Sequence, residues 1–281
     1  LTKQGKTFHL AESRTQNRES VAVELDKIKP THVLNAAGVT GRPNVDWCED
    51  HKLETVRTNV LGTLTMADLC AERNIHNTLF ATGCIFEYDD EHSIGGKPFT
   101  EEDYANFHGS YYSHTKAMCE DMLRIYPTTC TLRVRMPISD DLSPRNFITK
   151  IAKYENVVNV PNSMTVLYDL LPVSLIMAER KLSGIYNFCN PGAISHNECL
   201  QLYKKHVDPR YTWKNFSLEE QDKILKAGRS NNTLSHDKMI QAMPDVKIPE
   251  IHVAVEECMK RMKVNLEKEG LWPDNLPTRR G

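Results

Sequence analysis

Short apolar runs alternate with longer runs of helical period through the first half of this chain, and that alternation limits the fold more than any other feature. Residues 31–37, Thr-His-Val-Leu-Asn-Ala-Ala, follow Pro30 and suit a strand covered on both faces. Residues 54–73 carry Val56, Val60, Leu61, Leu64, Ala67 and Leu69 close to helical period. Residues 78–82 read as a second strand, 111–126 as a helix and 130–134 as a third strand. Strands joined by crossovers of this length run parallel, with helices on both faces of the sheet. The expected class is therefore α/β with a doubly wound parallel sheet. Such sheets bind ligands at the carboxyl ends of their strands, here near Ala37, Thr82 and Val134.

The second half is less regular. Residues 147–154 read as a helix, and 184–188 as a strand closed by the turn Asn190-Pro191-Gly192. Ser217-Leu218-Glu219-Glu220 fits a capping box, so a helix begins there. Residues 251–262 form the expected last helix, and the tail from 265 reads as a loose strap or as disordered. At the other end, residues 1–6 look like the close of a helix with Gly5 as its C-cap, and 6–10 like a short strand. An organisation follows: a nucleotide-binding unit over 1–160, a smaller substrate-binding region over 161–264 interleaved with it, and a tail over 265–281.

Composition excludes several classes. Of 281 residues, 40% are apolar, more than a disordered chain carries. Thirty-five Lys plus Arg against 37 Asp plus Glu leave a net charge of −2, without the basic surplus of a nucleic-acid binder. The most apolar stretch, 165–178, is broken by Asp169 and Pro172 and is too short to span a membrane. Eight cysteines and eleven histidines are scattered without metal-ligand spacing, so no metal site is expected. The thiols read as reduced, which suits the cytoplasm.

Several residues could carry chemistry. Tyr112 and Lys116 stand four apart and share a helix face; an ammonium beside a phenol favours tyrosinate, which would make Tyr112 a usable acid near neutral pH. The same spacing also fits an exposed helix face. Thr82, at a strand end, could bond a substrate carbonyl beside Tyr112. Cys84 shares the Thr82 face if that strand continues, though a single Cys here also reads as a small buried hydrophobe. Asn35-Ala36-Ala37-Gly38 lets a ligand approach the backbone closely, and Gly62, after Asn59, implies close packing against a strand or cofactor. Arg14 lies where a dinucleotide fold places the adenosine ribose and suits a 2′-phosphate. Arg229 could grip a diphosphate with two parallel hydrogen bonds, or be a solvated loop residue.

The order Asn-Ala-Ala, Asn-x-x-Gly-Thr, a Thr-ended strand and Tyr-x-x-x-Lys resembles the extended short-chain dehydrogenase/reductase family, with its Rossmann-like fold. Residues 35–49, 81–87, 133–139, 144–150 and 212–216 are similar to its nucleotide-rhamnose synthase group, the bifunctional UDP-4-keto-6-deoxyglucose 3,5-epimerase/4-keto-reductases. The likeness runs from about Arg14 to about Met262. It implies that Tyr112 is the catalytic acid, with Lys116 tuning it and holding the nicotinamide ribose, and that Thr82 takes the Ser/Thr place. Cys84 and Lys150 match the epimerisation acid/base positions. NADP(H) contacts are implied for Arg14, Asn35, Ala36, Ala37, Asn59, Tyr112, Lys116 and Met136. Nucleotide-sugar contacts are implied for Arg42, Asn146, Trp213, Arg229 and Asn232. Members of the family often form homodimers.

One departure stands out. The family opens with a strand and a Gly-x-x-Gly-x-x-Gly turn whose helix N-terminus cradles the pyrophosphate, and the sequence shows neither. The expectation is that this element lies upstream and that the chain as written binds NADP weakly. Two other readings stay open: a dTDP-4-keto-rhamnose reductase, and a non-catalytic relative such as the regulatory subunit of methionine adenosyltransferase.

Overall fold

The computed structural model describes residues 1–2 and 5–278. In chain order it forms α1 (Arg18–Ile28), β1 (His32–Asn35), α2 (Trp47–Asp50), α3 (Lys52–Val56), a π-helical turn (Arg57–Leu61), α4 (Gly62–Glu72), β2 (His76–Thr82), α5 (Tyr111–Leu123) and β3 (Thr129–Val134). Then come α6 (Phe147–Lys153), β4 (Asn156–Val157), β5 (Pro161–Asn162), α7 (Leu167–Glu179), β6 (Gly184–Phe188) and β7 (Ile194–Ser195). The last elements are α8 (His196–His206), β8 (Lys214–Asn215), α9 (Leu218–Ile224), α10 (Asp237–Ala242) and α11 (Ile251–Lys268).

Four strands make the main sheet in the order β1-β2-β3-β6, all parallel. Strand alternation divides its side chains between two cores. Leu79 packs with Ala67 of α4 and with Cys119 and Leu123 of α5 on one face. Phe80, Leu132 and Tyr186 pack with Leu170, Val173 and Met177 of α7 and Met239 of α10 on the other. The expected helices on both faces are therefore present. A second centre of packing joins α6, α8 and α11 through Ile148, Leu200, Tyr203, Val255 and Met259. The chain enters this second core by Ile138 and then returns to the main sheet through α7 and β6.

Three expectations fail. Residues 7–10 are exposed and 6–10 form no strand, because a strand needs a ladder partner and none is present among the described residues. The tail is not a loose strap. Trp272 Nε1 donates to the Val207 carbonyl at 2.8 Å, Tyr203 and Thr278 share a hydroxyl bond of 2.6 Å, and Leu276 is buried in the second core. Residues 279–281 of that tail lie outside the described residues. The last helix runs on to Lys268 because Met262 and Leu266 continue its apolar stripe. At the other end, Gly5 has the expected positive φ, +67°; Lys3 and Gln4 of the expected helix end lie outside the described residues.

The helix expected over 54–73 is continuous but bulges at 57–61, where the Gly62 amide reaches back to the Arg57 carbonyl. Such π-turns often mark functional sites. A Cβ on Gly62 would collide with Thr15 and approach the Gln16 amide at 3.3 Å. The glycine therefore makes room for the loop after residue 12 rather than for a strand or cofactor.

Candidate active site

The carboxyl ends of β1, β2 and β3 converge on one corner. β2 ends at Thr82, and its last inter-strand bond runs from the Gly83 amide to the Val134 carbonyl at 3.0 Å. The chain then turns. A Cβ on Gly83 would stand 2.6 Å from Leu234 Cδ1 and 2.9 Å from Arg135 Cγ, so only glycine fits. Thr82 and Cys84 thus do not share a strand face as expected. They meet through the turn instead, the Cys84 amide donating to Thr82 Oγ1 at 3.1 Å.

Helix α5 supplies the other half. Ser110 caps it by accepting the Ser113 amide at 3.0 Å, and Glu49 accepts the Tyr111 amide at 2.7 Å. These bonds fix the first turn, which carries Tyr112. The Tyr112 hydroxyl lies close enough to Thr82 and Cys84 for both to act on it. Burial pushes its pKa well above the ordinary phenol value; the charge of Cys84 adds to the rise and the Thr82 bond opposes it. This corrects the expectation that Lys116 makes Tyr112 more acidic. The Lys116 ammonium is buried against a different neighbour, 3.8 Å from the place a Gly38 Cβ would take, and burial lowers its own pKa.

Gly38 also faces Asn59 Oδ1, at 3.5 Å by the same measure. Asn59, fully buried in the π-turn, clamps the loop after β1 with two bonds of 2.8 Å, accepting from the Val39 amide and donating to its carbonyl. Asn35 Oδ1 accepts the Ala37 amide at 3.0 Å, which ends β1, while its buried Nδ2 has no partner among the described residues. Ala36, Ala37 and Gly38 are exposed along this edge. Arg14 is exposed in the loop that packs on Gly62, a loop held by Glu24, whose carboxylate accepts the Glu12 and Ser13 amides. Met136 follows β3 with φ +38° and packs partly on the second core.

The remaining sites are more dispersed. Lys150 is half-buried on α6, and burial followed by the Arg145 charge lowers its pKa. No hydrogen bond or ion pair among the described residues joins it to Cys84 or Tyr112. Asn146 is not available to a substrate: its Oδ1 caps α6 through the Ile148 amide at 3.1 Å and its Nδ2 donates to the carbonyls of Ser139 and Asp141. Asn232 is half committed: its Nδ2 donates to the carbonyls of Gly83 and Phe86 at 3.1 and 2.9 Å, while its buried Oδ1 has no partner among the described residues. It holds the Cys84 turn from beneath. Trp213 donates to Asn197 Oδ1 and stacks on Tyr211 at the edge of the second core. Arg229 is ion-paired to Asp46 at 3.0 Å, so a diphosphate there would compete with a carboxylate. Arg42 is exposed in the loop after β1.

Sequence reasoning missed Arg135. It is fully buried, and its NH1 donates to Cys84 Sγ at 3.3 Å and to Ser230 Oγ at 2.8 Å. The available signal was a second arginine, after Arg133, within an otherwise apolar run. All eight cysteines are free and seven are buried; Cys84 alone is partly open to solvent.

The sequence profile of the NAD dependent epimerase/dehydratase family matches residues 1–151. The chain belongs to this family. It is 59% identical, over 86% of its length and 81% of the relative's, to a bifunctional dTDP-4-dehydrorhamnose 3,5-epimerase/dTDP-4-dehydrorhamnose reductase of Arabidopsis thaliana. It is 56% identical to a trifunctional UDP-glucose 4,6-dehydratase/UDP-4-keto-6-deoxy-D-glucose 3,5-epimerase/UDP-4-keto-L-rhamnose-reductase of the same plant, spanning 87% of this chain but only 37% of that protein. The crystal structure of the UDP-rhamnose synthase of Acanthamoeba polyphaga mimivirus superimposes with a TM-score of 0.88, at 40% identity and 92% coverage of both chains. A dTDP-4-dehydrorhamnose reductase from Bacillus anthracis in complex with NADP shares the fold, with a TM-score of 0.77 at 16% identity. The Rossmann-like α/β fold is thus common to the chain and these neighbours.

The corner fits a nicotinamide nucleotide, the cofactor class of this family. The orphaned Asn35 Nδ2, the exposed backbone of Ala36, Ala37 and Gly38, and a buried Lys116 without an ion pair among the described residues together offer donors to a ribose and a carboxamide.

Proposed function

We propose that this family member converts UDP-4-keto-6-deoxy-D-glucose to UDP-L-rhamnose, inverting C3 and C5 and reducing the C4 ketone with NADPH. The observation that carries the proposal is the contact of Tyr112 with Thr82, beside Cys84, at the mouth of the sheet. The C4 carbonyl makes the flanking C3 and C5 protons acidic. Removing either one moves an electron pair into an enolate whose charge falls on O4. The hydroxyls of Tyr112 and Thr82 would bond that oxygen. Cys84 and Lys150 supply the pair that takes a proton from one face and returns one from the other, and the lowered pKa of Lys150 puts more of its neutral base form at working pH. NADPH, held by Lys116, Asn35 and the backbone after β1, would supply the hydride to C4. Tyr112 then gives its proton to O4. Its raised pKa keeps that proton in place until the alkoxide forms.

The exposed Arg14 supports NADPH over NADH through a 2′-phosphate contact. The name of the Arabidopsis relative favours dTDP as a second nucleotide to be tried. The test offers the full-length gene product UDP- and dTDP-4-keto-6-deoxyglucose with NADPH and reads the product sugar by NMR. A nucleotide-linked L-rhamnose is expected, from UDP above dTDP. Reduction without inversion would remove the epimerase assignment. NADPH binding without turnover would favour a regulatory subunit that acts through a partner.

A further inference from the structure

Arg135 is a fully buried cation without a carboxylate partner among the described residues. Its neighbour Arg133 shows the usual solution, an ion pair with buried Glu120 at 2.6 Å. Arg135 makes no ion pair among the described residues. NH1 donates to Cys84 Sγ and Ser230 Oγ, NH2 donates to Asn162 Oδ1 and the Ser230 carbonyl, and Nε is buried without an acceptor. A guanidinium cannot shed its charge at any working pH, and a buried charge facing only neutral acceptors is costly.

The titratable groups around it leave one candidate counter-ion. Cys189, after β6, is pushed up to about 12 by burial and stays a thiol. Tyr88 is raised by burial, and Tyr112 is raised too, so both remain neutral phenols. His196, on α8, is lowered to about 4 by burial and is also neutral. Glu101 reaches Cys189 only as a distant charge and is itself bonded to the Asn187 amide. Cys84 is the group in direct contact with the guanidinium and the one cysteine partly open to solvent. Gly83 gives the geometry a second, independent mark: its missing side chain is the space occupied by the Arg135 stem.

We propose that Arg135 is the positioning residue for proton transfer by Cys84, aiming the sulfur at the substrate and balancing its charge when it is a thiolate. The inference rests on the reading of Cys84 as an epimerisation acid/base. In that role the thiolate takes a C–H proton to become a thiol, the carbanion pair moves into the enolate, and Arg135 keeps its proton throughout.

The test uses the full-length protein and two readouts besides turnover. The first is the pH dependence of Cys84 alkylation by iodoacetamide, followed by mass spectrometry. Arg135→Gln should move its midpoint up by about one pH unit or more and slow deuterium exchange at C3 and C5 about tenfold at neutral pH, with KM little changed; Arg135→Lys should recover much of both. The second needs no arginine variant. The ultraviolet thiolate band of the native protein minus that of Cys84→Ala should already be present at neutral pH. An unshifted alkylation profile in folded Arg135→Gln, or a difference band that rises only above about pH 8.5, overturns the proposal. A large rise in KM with an unshifted profile also overturns it and makes Arg135 a substrate ligand. Native exchange in Cys84→Ala would instead overturn the underlying role of Cys84.

Discussion

The Thr82 hydroxyl accepts the amide of Cys84 at 3.1 Å and lies beside the side chain of Tyr112. One small group therefore joins the end of β2, the turn that carries the sulfur and the helix that carries the phenol. Thr82→Val keeps the shape and removes the hydroxyl that faces both neighbours. We expect the reduction kcat to fall about a hundredfold, with Thr82→Ser within tenfold of the native protein. NADPH consumption followed by absorbance decides it; a Val variant as fast as native would show that the hydroxyl only closes the turn.

Cys84→Ala should abolish inversion while leaving measurable ketone reduction, because the proposed contacts of Thr82 and Tyr112 with O4 remain. The check is deuterium uptake from solvent at C3 and C5. Inversion at the native rate in this variant would give the proton transfer to another residue.

On the proposed function, Tyr112→Phe removes the proton given to O4 and should lose reduction. The pH profile carries more information. Burial raises the Tyr112 pKa, so its acid form is fully present at every pH below the raised value and does not decline through neutrality. The reduction rate should hold to about pH 9 without a falling limb from this residue. A falling limb near pH 7 in the native reduction rate would contradict the burial argument.

Burial lowers His196 to about 4, so the folded state holds it neutral while an unfolded histidine takes a proton near its ordinary value. Between those two values the unfolded state binds more protons, and stability falls as pH falls. The slope is at most about 1.4 kcal/mol per pH unit. Denaturant unfolding from pH 7 to 4 measures it, and His196→Gln should flatten the curve in that window. An unchanged slope would place the acid sensitivity elsewhere.

Asn146→Ala removes the cap of α6 and the clamp on residues 139–141. A loss of about 1–3 kcal/mol is expected, seen as a lower Tm, with KM for the sugar nucleotide unaffected once the protein is folded. A selective rise in KM at native stability would return Asn146 to the substrate-binding set.

The legible parts of the site are those set by local chain geometry. Tyr112 and Lys116 had to share a helix face, and Thr82 had to end a strand, because the helical and strand periods allow nothing else. The asparagines were not legible in this way. Asn59, Asn146 and Asn232 each spend their amides on distant or capping backbone groups, and the sequence alone does not distinguish an amide facing a ligand from one facing a carbonyl. Segment 6–10 failed for a related reason: strand-like composition does not supply a neighbouring strand to pair with.

The amino-acid order by itself determined the alternation of strands and helices, hence the parallel sheet, and the corner where its strand ends meet. Those follow from periodicity, which each segment carries internally. Tertiary structure alone decided the electrostatics of that corner. It buried Arg135 against Cys84, turned Lys116 toward Gly38 and raised Tyr112, because burial and charge depend on groups far apart in the chain that meet only when the sheet and its helices close over them.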